Sequence, residues 1–156
     1  MQLTTHTDYA LRVLIYLAKN PEQRVTIEEM AIFFDISRNH LVKVVHNLSA
    51  KGFVRSIRGK GGGLYLAKPP EQINIGEVVR AMEGHFDIVA CFNLNKAGLC
   101  KLHPNCGLTS VLANALEQFL RVLDATTLSD VLPKESVTSN LIQISNQAVF
   151  ELDQQN

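Results

Sequence analysis

The sequence predicts a mainly α fold that carries one small β-hairpin. Three observations predict it. Before Gly52, apolar residues recur at helical spacing in three blocks, separated by Pro21 and by a short gap at Asp35 and Ile36. After Gly52 the spacing shortens on either side of a glycine-rich tip. After Gly107 one long apolar stripe returns at helical spacing.

The first block runs from Thr7 to Lys19. Leu11, Leu14, Ile15 and Ala18 share a face, Thr7 is the expected cap and Asp8 lies in the first turn. Pro21 stops it. Thr26 caps the second block, Glu29 follows three residues on as a capping box requires, and Ile27, Met30, Ala31 and Phe34 supply its apolar face. Ser37 caps the third, where Leu41, Val44, Val45 and Leu48 face inward and Lys51-Gly52 ends the helix. Two short helices joined this tightly make a helix-turn-helix candidate. The second opens on Arg38-Asn39-His40, with Lys43 one turn later: groove-reading residue types at the end that enters a groove first.

Phe53, Val54, Ser56 and Ile57 then read as a strand, Arg58-Gly59-Lys60-Gly61-Gly62-Gly63 as a tip, and Leu64-Tyr65-Leu66 as the return strand. A hairpin directly behind a reading helix is a wing. Arg58 and Lys60, with Gly59 and Gly61 permitting close backbone approach, are spaced to bracket a minor groove or its phosphates. A nucleotide phosphate loop is excluded, because the G-x-x-x-x-G-K-[ST] form is missing and a strand follows instead of a helix.

Charge supports this reading. The formal net charge is zero, yet residues 1–70 hold ten Lys/Arg against five Asp/Glu, and residues 71–156 hold five against ten. From Ser37 to Lys68 there are seven basic residues and no acid. A basic segment on an otherwise acidic chain points to a polyanion on one face. No run of 18 apolar residues occurs, which excludes a transmembrane helix, and the opening stretch lacks an apolar signal core. A cytoplasmic protein without a membrane partner is expected.

Pro69-Pro70 breaks the chain, and Ile75, Val78, Val79 and Met82 form a short helix with Glu77 near its start. From Gly84 the pattern degrades into loop composition that holds all three cysteines, Cys91, Cys100 and Cys106. An odd number of cysteines in a reducing compartment points to thiols or ligands instead of bridges. The C-x8-C-x5-C spacing is wide for zinc, although His103 offers a fourth donor. Iron–sulfur clusters accept wider spacing, and a thiol switch or plain packing are the other readings. Leu112, Leu116, Phe119, Leu120 and Leu123 then form a stripe on a helix from Gly107 to Asp124, roughly 27 Å long at 1.5 Å per residue, and this is the expected dimer seam. The expected organisation is thus a winged helix-turn-helix domain at 1–83, a cluster-binding loop at 84–106, a dimerisation helix at 107–132, and an extension at 133–156, either mobile or weakly packed.

The opening M-Q-L-T-T-H-T-D-Y-A-L-R, the helix S-R-N-H-L-V-K-V-V, the wing R-G-K-G-G-G-L, the segment I-N-I-G-E-V-V-R, the three cysteines and the later L-x-x-A-L-E-Q-F-L together resemble the nitric-oxide-sensing branch of the bacterial iron–sulfur winged-helix regulators. The likeness covers about residues 1–132. It implies a homodimer that binds palindromic operator DNA and represses nitrosative-stress genes until nitric oxide attacks the cluster. It also implies one cluster per subunit, [2Fe–2S] or [4Fe–4S], held by Cys91, Cys100 and Cys106, with Asp8 of the other subunit as fourth ligand. The relatives that sense cluster supply, as IscR does, use a histidine after the third cysteine; here Gly107, Leu108 and Thr109 stand there. A regulator of iron–sulfur or redox status is the alternative. An enzyme with a reactive cysteine, and a scaffold or electron carrier, are weaker readings.

Overall fold

The structure, a computed structural model, describes residues 2–59, 61–93, 95, 96, 98 and 100–133. Five helices and one hairpin make up its main elements. Helix α1 spans Thr5–Lys19, α2 Ile27–Phe34, α3 Arg38–Ala50, strand β1 Val54–Ser56, β2 Leu64–Leu66, α4 Ile75–Met82 and α5 Gly107–Asp124. The fold is a winged helix-turn-helix followed by a cysteine loop and a long helix. The expected extension lies, from residue 134 onward, outside the described residues.

Helix α1 starts earlier than its apolar pattern suggests. Thr4, not Thr7, is the N-cap, and its Oγ1 accepts from the Thr7 N–H at 3.3 Å. Thr7 is instead fully buried, its hydroxyl 3.0 Å from that of Thr4. The buried face is Ala10, Val13, Leu14 and Leu17, while Leu11, Ile15 and Ala18 flank it half-buried. Helix α1 is apolar around much of its circumference, so packing against α3 and α4 selects which stripe goes deepest.

Thr26 and Glu29 form the full capping box of α2. Its end is set by Asp35 in the left-handed region (φ 52°), whose N–H and that of Ile36 return to the last carbonyls of α2. That reversal aims α3 across α2. Leu41, Val44, Val45 and Leu48 of α3 are buried against α1 and α2, as their spacing requires. In the wing, Val54 pairs with Leu66, Arg55 with Tyr65 and Ser56 with Leu64. At the tip a Cβ on Gly62 would collide with the backbone of Ile57, so only glycine fits there.

The C-terminal end of α5 is fastened back to the winged domain. Leu128 is fully buried and donates its N–H to Ile73 O at 2.8 Å, and Ile75 donates to Thr126 O at 2.9 Å. Arg80 of α4 and Asp124 of α5 form a two-pronged ion pair, with Nη2 to Oδ2 at 2.7 Å. Gly76 makes the approach possible, since a Cβ there would strike Asp124. The Arg80 guanidinium holds the Asp124 carboxyl below its ordinary pKa. The stabilising contribution of that carboxylate is therefore complete above the ordinary carboxylate range and fades as pH falls through the depressed value. Asp124→Asn is expected to lower the unfolding midpoint at neutral pH, and the gap to wild type should close on acidification; a gap that stays constant down to acid pH contradicts this role.

Candidate functional site

The surface expected to read DNA is built by the start of α3 and the wing. Ser37 stands at the N-cap without a side-chain capping bond, and Ser37, Arg38, Asn39, His40 and Lys43 are all exposed. Arg58, Gly59 and Gly61 are exposed at the wing tip, and Lys60 lies outside the described residues. Two further features of this surface come from the tertiary structure. Val42 presents an apolar side chain among polar ones, 39% exposed. Arg38 Nε lies 3.2 Å from Glu28 Oε2 of α2.

Helix α3 is joined firmly to α1. Asn47 Nδ2 lies 2.9 Å from His6 Nε2, the Tyr9 and His40 rings lie 6.5 Å apart, and the two helices share the core. The beginning of α1 is in turn tied to the end of α4, where Glu83 Oε1 accepts from the Thr4 N–H at 2.7 Å and from its hydroxyl at 3.2 Å. Glu83 is the last residue before the cysteine loop. A chain of contacts thus runs from the root of the cysteine loop through α1 to α3.

All three cysteines are free thiols. Cys91 sits half-buried in a 3-10 turn, Ala90–Phe92, and its Sγ lies 3.8 Å from Thr109 Oγ1. Cys106 is the N-cap of α5. Its thiol makes no full capping bond, yet the Thr109 and Leu108 N–H groups and the Thr109 hydroxyl lie near enough to favour the thiolate, and its pKa falls below the usual thiol value. Cys91 and Cys106 therefore meet at Thr109, a residue that sequence reasoning overlooked; its position three residues after a helix cap is the signal that marks it. Cys100 is exposed, as is His103. The loop is braced by Asn93 Nδ2 donating to Asp87 Oδ2 at 2.9 Å. Three free thiols, two converging and one held toward its thiolate, fit a thiolate-bound iron–sulfur group in donor chemistry.

Asp8 has a different setting. It is half-exposed on the first turns of α1 and bound at two points by Arg12, with Oδ2 to Nη2 at 2.8 Å and Oδ1 to Nε at 3.2 Å. It lines an open cavity of about 540 Å³ together with Tyr9, Arg12, Phe34 and Ile36. No group of three or more His, Cys, Asp and Glu side chains comes together among the described residues. On α5, Leu112, Leu116, Phe119, Leu120 and Leu123 are half-buried. Leu108, Val111 and Val122 are more than 60% exposed, and with Ala115 they follow the three-four spacing of a helix–helix seam.

Residues 3–134 match Rrf2, described as an iron-dependent transcriptional regulator. The chain belongs to the Rrf2 family. Over 145 residues it is 48% identical to the HTH-type transcriptional regulator NsrR of Bacillus subtilis, spanning 92% of this chain and 99% of that protein. Among solved structures it is similar to CymR, the global cysteine regulator of B. subtilis, at 30% identity and TM-score 0.63, over 84% of this chain and 95% of that one. It is also similar to T. potens IscR, at 26% identity and TM-score 0.65, over 83% and 85%. As an Rrf2 protein the chain is a transcriptional regulator with a non-enzymatic role, and a winged reader joined to a long exposed helix is the architecture of a DNA-binding homodimer. Among the described residues no helix is long and apolar enough to cross a membrane.

Proposed function

We propose that this Rrf2 protein is a cytoplasmic, nitric-oxide-sensing repressor of nitrosative-stress genes. Two copies pair through α5, along the exposed edge of Leu108, Val111 and Val122 and the leucines beside it. Residues 1–83 read DNA, 84–106 hold an iron–sulfur cluster, and 107–132 pair the copies. Arg38, Asn39, His40 and Lys43 meet base edges in the major groove, Ser37 meets a phosphate at the helix start, and Arg58, Gly59, Lys60 and Gly61 approach the backbone or minor groove. Cys91, Cys100 and Cys106 supply thiolates to the cluster, and Asp8 of the second copy supplies a carboxylate. When bound, the cluster supplies iron on which nitric oxide reacts.

The chain's own residues convert that chemistry into a change of pose. Asp8 has two partners to choose between, Arg12 in its own helix and the metal centre of the other copy. Helix α1 carries the choice to α3 through His6–Asn47, Tyr9–His40 and their shared core. Glu83 fixes the root of the cysteine loop to the same helix end. A pose difference of a few kcal/mol between two half-site spacings is enough for a switch. The observation that carries this reading is the joint from the root of the thiol loop through α1 to α3, in a chain that matches an NsrR regulator along 99% of that protein.

The test is operator binding by iron-loaded, anaerobically purified protein with and without nitric oxide, for wild type and Asp8→Ala. Wild type is expected to bind and to release on nitric oxide, and Asp8→Ala to bind more weakly or respond less. Wild-type binding that ignores nitric oxide but is lost on iron chelation overturns the reading in favour of cluster-supply sensing, as its structural likeness to IscR would favour. An unchanged Asp8→Ala response removes Asp8 from the mechanism.

A further inference from the structure

The two glutamates in the first turn of α2 have divided roles. Glu29 is fully committed to the helix start: it closes the capping box with Thr26 and accepts from the Tyr16 hydroxyl at 2.8 Å. Glu28, beside it, leaves its own helix and meets Arg38, the first residue of the reading helix, at 3.2 Å. Residues 37–68 contain no acid, so the carboxylate at the head of the reading surface is brought there from α2 by the helix-turn-helix geometry. Both side chains are highly exposed, 62% for Arg38 and 64% for Glu28. Exposed ion pairs of this kind contribute little to stability, so folding does not explain its presence.

The closest approach is at Nε, an ion-pair contact outside hydrogen-bond geometry. A guanidinium held there keeps its two Nη groups for a bidentate pair with the O6 and N7 of guanine, the geometry by which arginine discriminates bases. An arginine without such a hold swings freely to any phosphate and adds attraction that carries no sequence information. The negative charge of Glu28 also opposes a phosphate at the same place. We propose that Glu28 is a specificity-determining positioning residue: it presents Arg38 to a base edge and restrains it from indiscriminate phosphate contact. This rests on the reading of α3 as the DNA-reading helix.

The test uses the full-length, iron-loaded dimer, a duplex selected by it from random sequence, and an unselected random duplex, each across a salt series. For Glu28→Gln and Glu28→Ala, binding to random duplex is expected to rise and its salt slope to steepen by up to about 0.9 per arginine released. The selected-to-random ratio is expected to fall by about tenfold, the scale of one lost bidentate pair. Glu28→Asp, which keeps the charge, should retain most of the wild-type slope. In an Arg38→Ala background, removing Glu28 should change the ratio no further. An unchanged ratio and slope in Glu28→Ala, or an equal change with and without Arg38, overturns the proposal. Failure of wild type to prefer any selected duplex is a different outcome: it overturns the assignment of α3 as a reader, and this role with it.

Discussion

Cys106→Ser is expected to strip the protein of iron and sulfide and to reduce operator binding to the level seen on random DNA. The effect originates at the helix start. Cys106 caps α5, and the first-turn N–H groups of Leu108 and Thr109 favour its thiolate, the form that binds metal. Cys91 reaches the same threonine from the other side. Serine keeps the shape and suits the N-cap position but is a poor ligand to iron, so the variant separates metal binding from folding. Specific and non-specific binding typically differ by about 10³-fold or more, which sets the scale of the loss. Iron and sulfide counts with the visible absorption spectrum read the first effect, and a binding titration reads the second. Serine-variant protein that retains its iron, or that grips the operator as wild type does, defeats the account. Thr109→Val, which keeps all three thiols, should hold iron more weakly without abolishing it.

Leu128→Ala is expected to destabilise the chain by about 2–5 kcal/mol, the range for truncating a fully buried leucine when a cavity remains. Leu128 is 0% exposed and belongs to the core of the winged domain, although it lies beyond the end of α5. Its N–H bond to Ile73 and the Ile75–Thr126 bond fasten the far end of α5 to the start of α4. The substitution therefore loosens the angle at which α5 leaves the winged domain as well as the core. Urea unfolding should show a lower midpoint, and operator binding should weaken because the spacing between two copies depends on that angle. A midpoint within error of wild type means Leu128 does not hold the two parts together.

How far the sequence could be read varied with the range of the interactions involved. The capping box of α2, the buried face of α3 and the face of α4 (Ile75, Val78, Val79 and Met82) depend on neighbours within a turn or two, so spacing specifies them. The glycine tip of the wing is legible for the same reason. The start of α1 is not legible, because Thr4 and Thr7 are both capping residue types, and Glu83, 79 residues away, also holds Thr4. Which side of α5 the chain itself covers is not legible either. The helix is apolar on two sides, and only contact with α4 decides between them.

The amino-acid order by itself determined the local grammar: which segments are helical, where the turn between α2 and α3 falls, where the basic charge gathers, and that three thiols share one irregular stretch. Those properties come from backbone propensity, capping and periodicity, which act over a few residues. Only the tertiary structure decided that Cys91 and Cys106 meet at Thr109, that Glu83 ties the root of the loop to α1, and that Glu28 reaches Arg38. These contacts join different elements. Their partners are selected by packing angles that the burial of the whole core sets, and no short-range pattern carries that information.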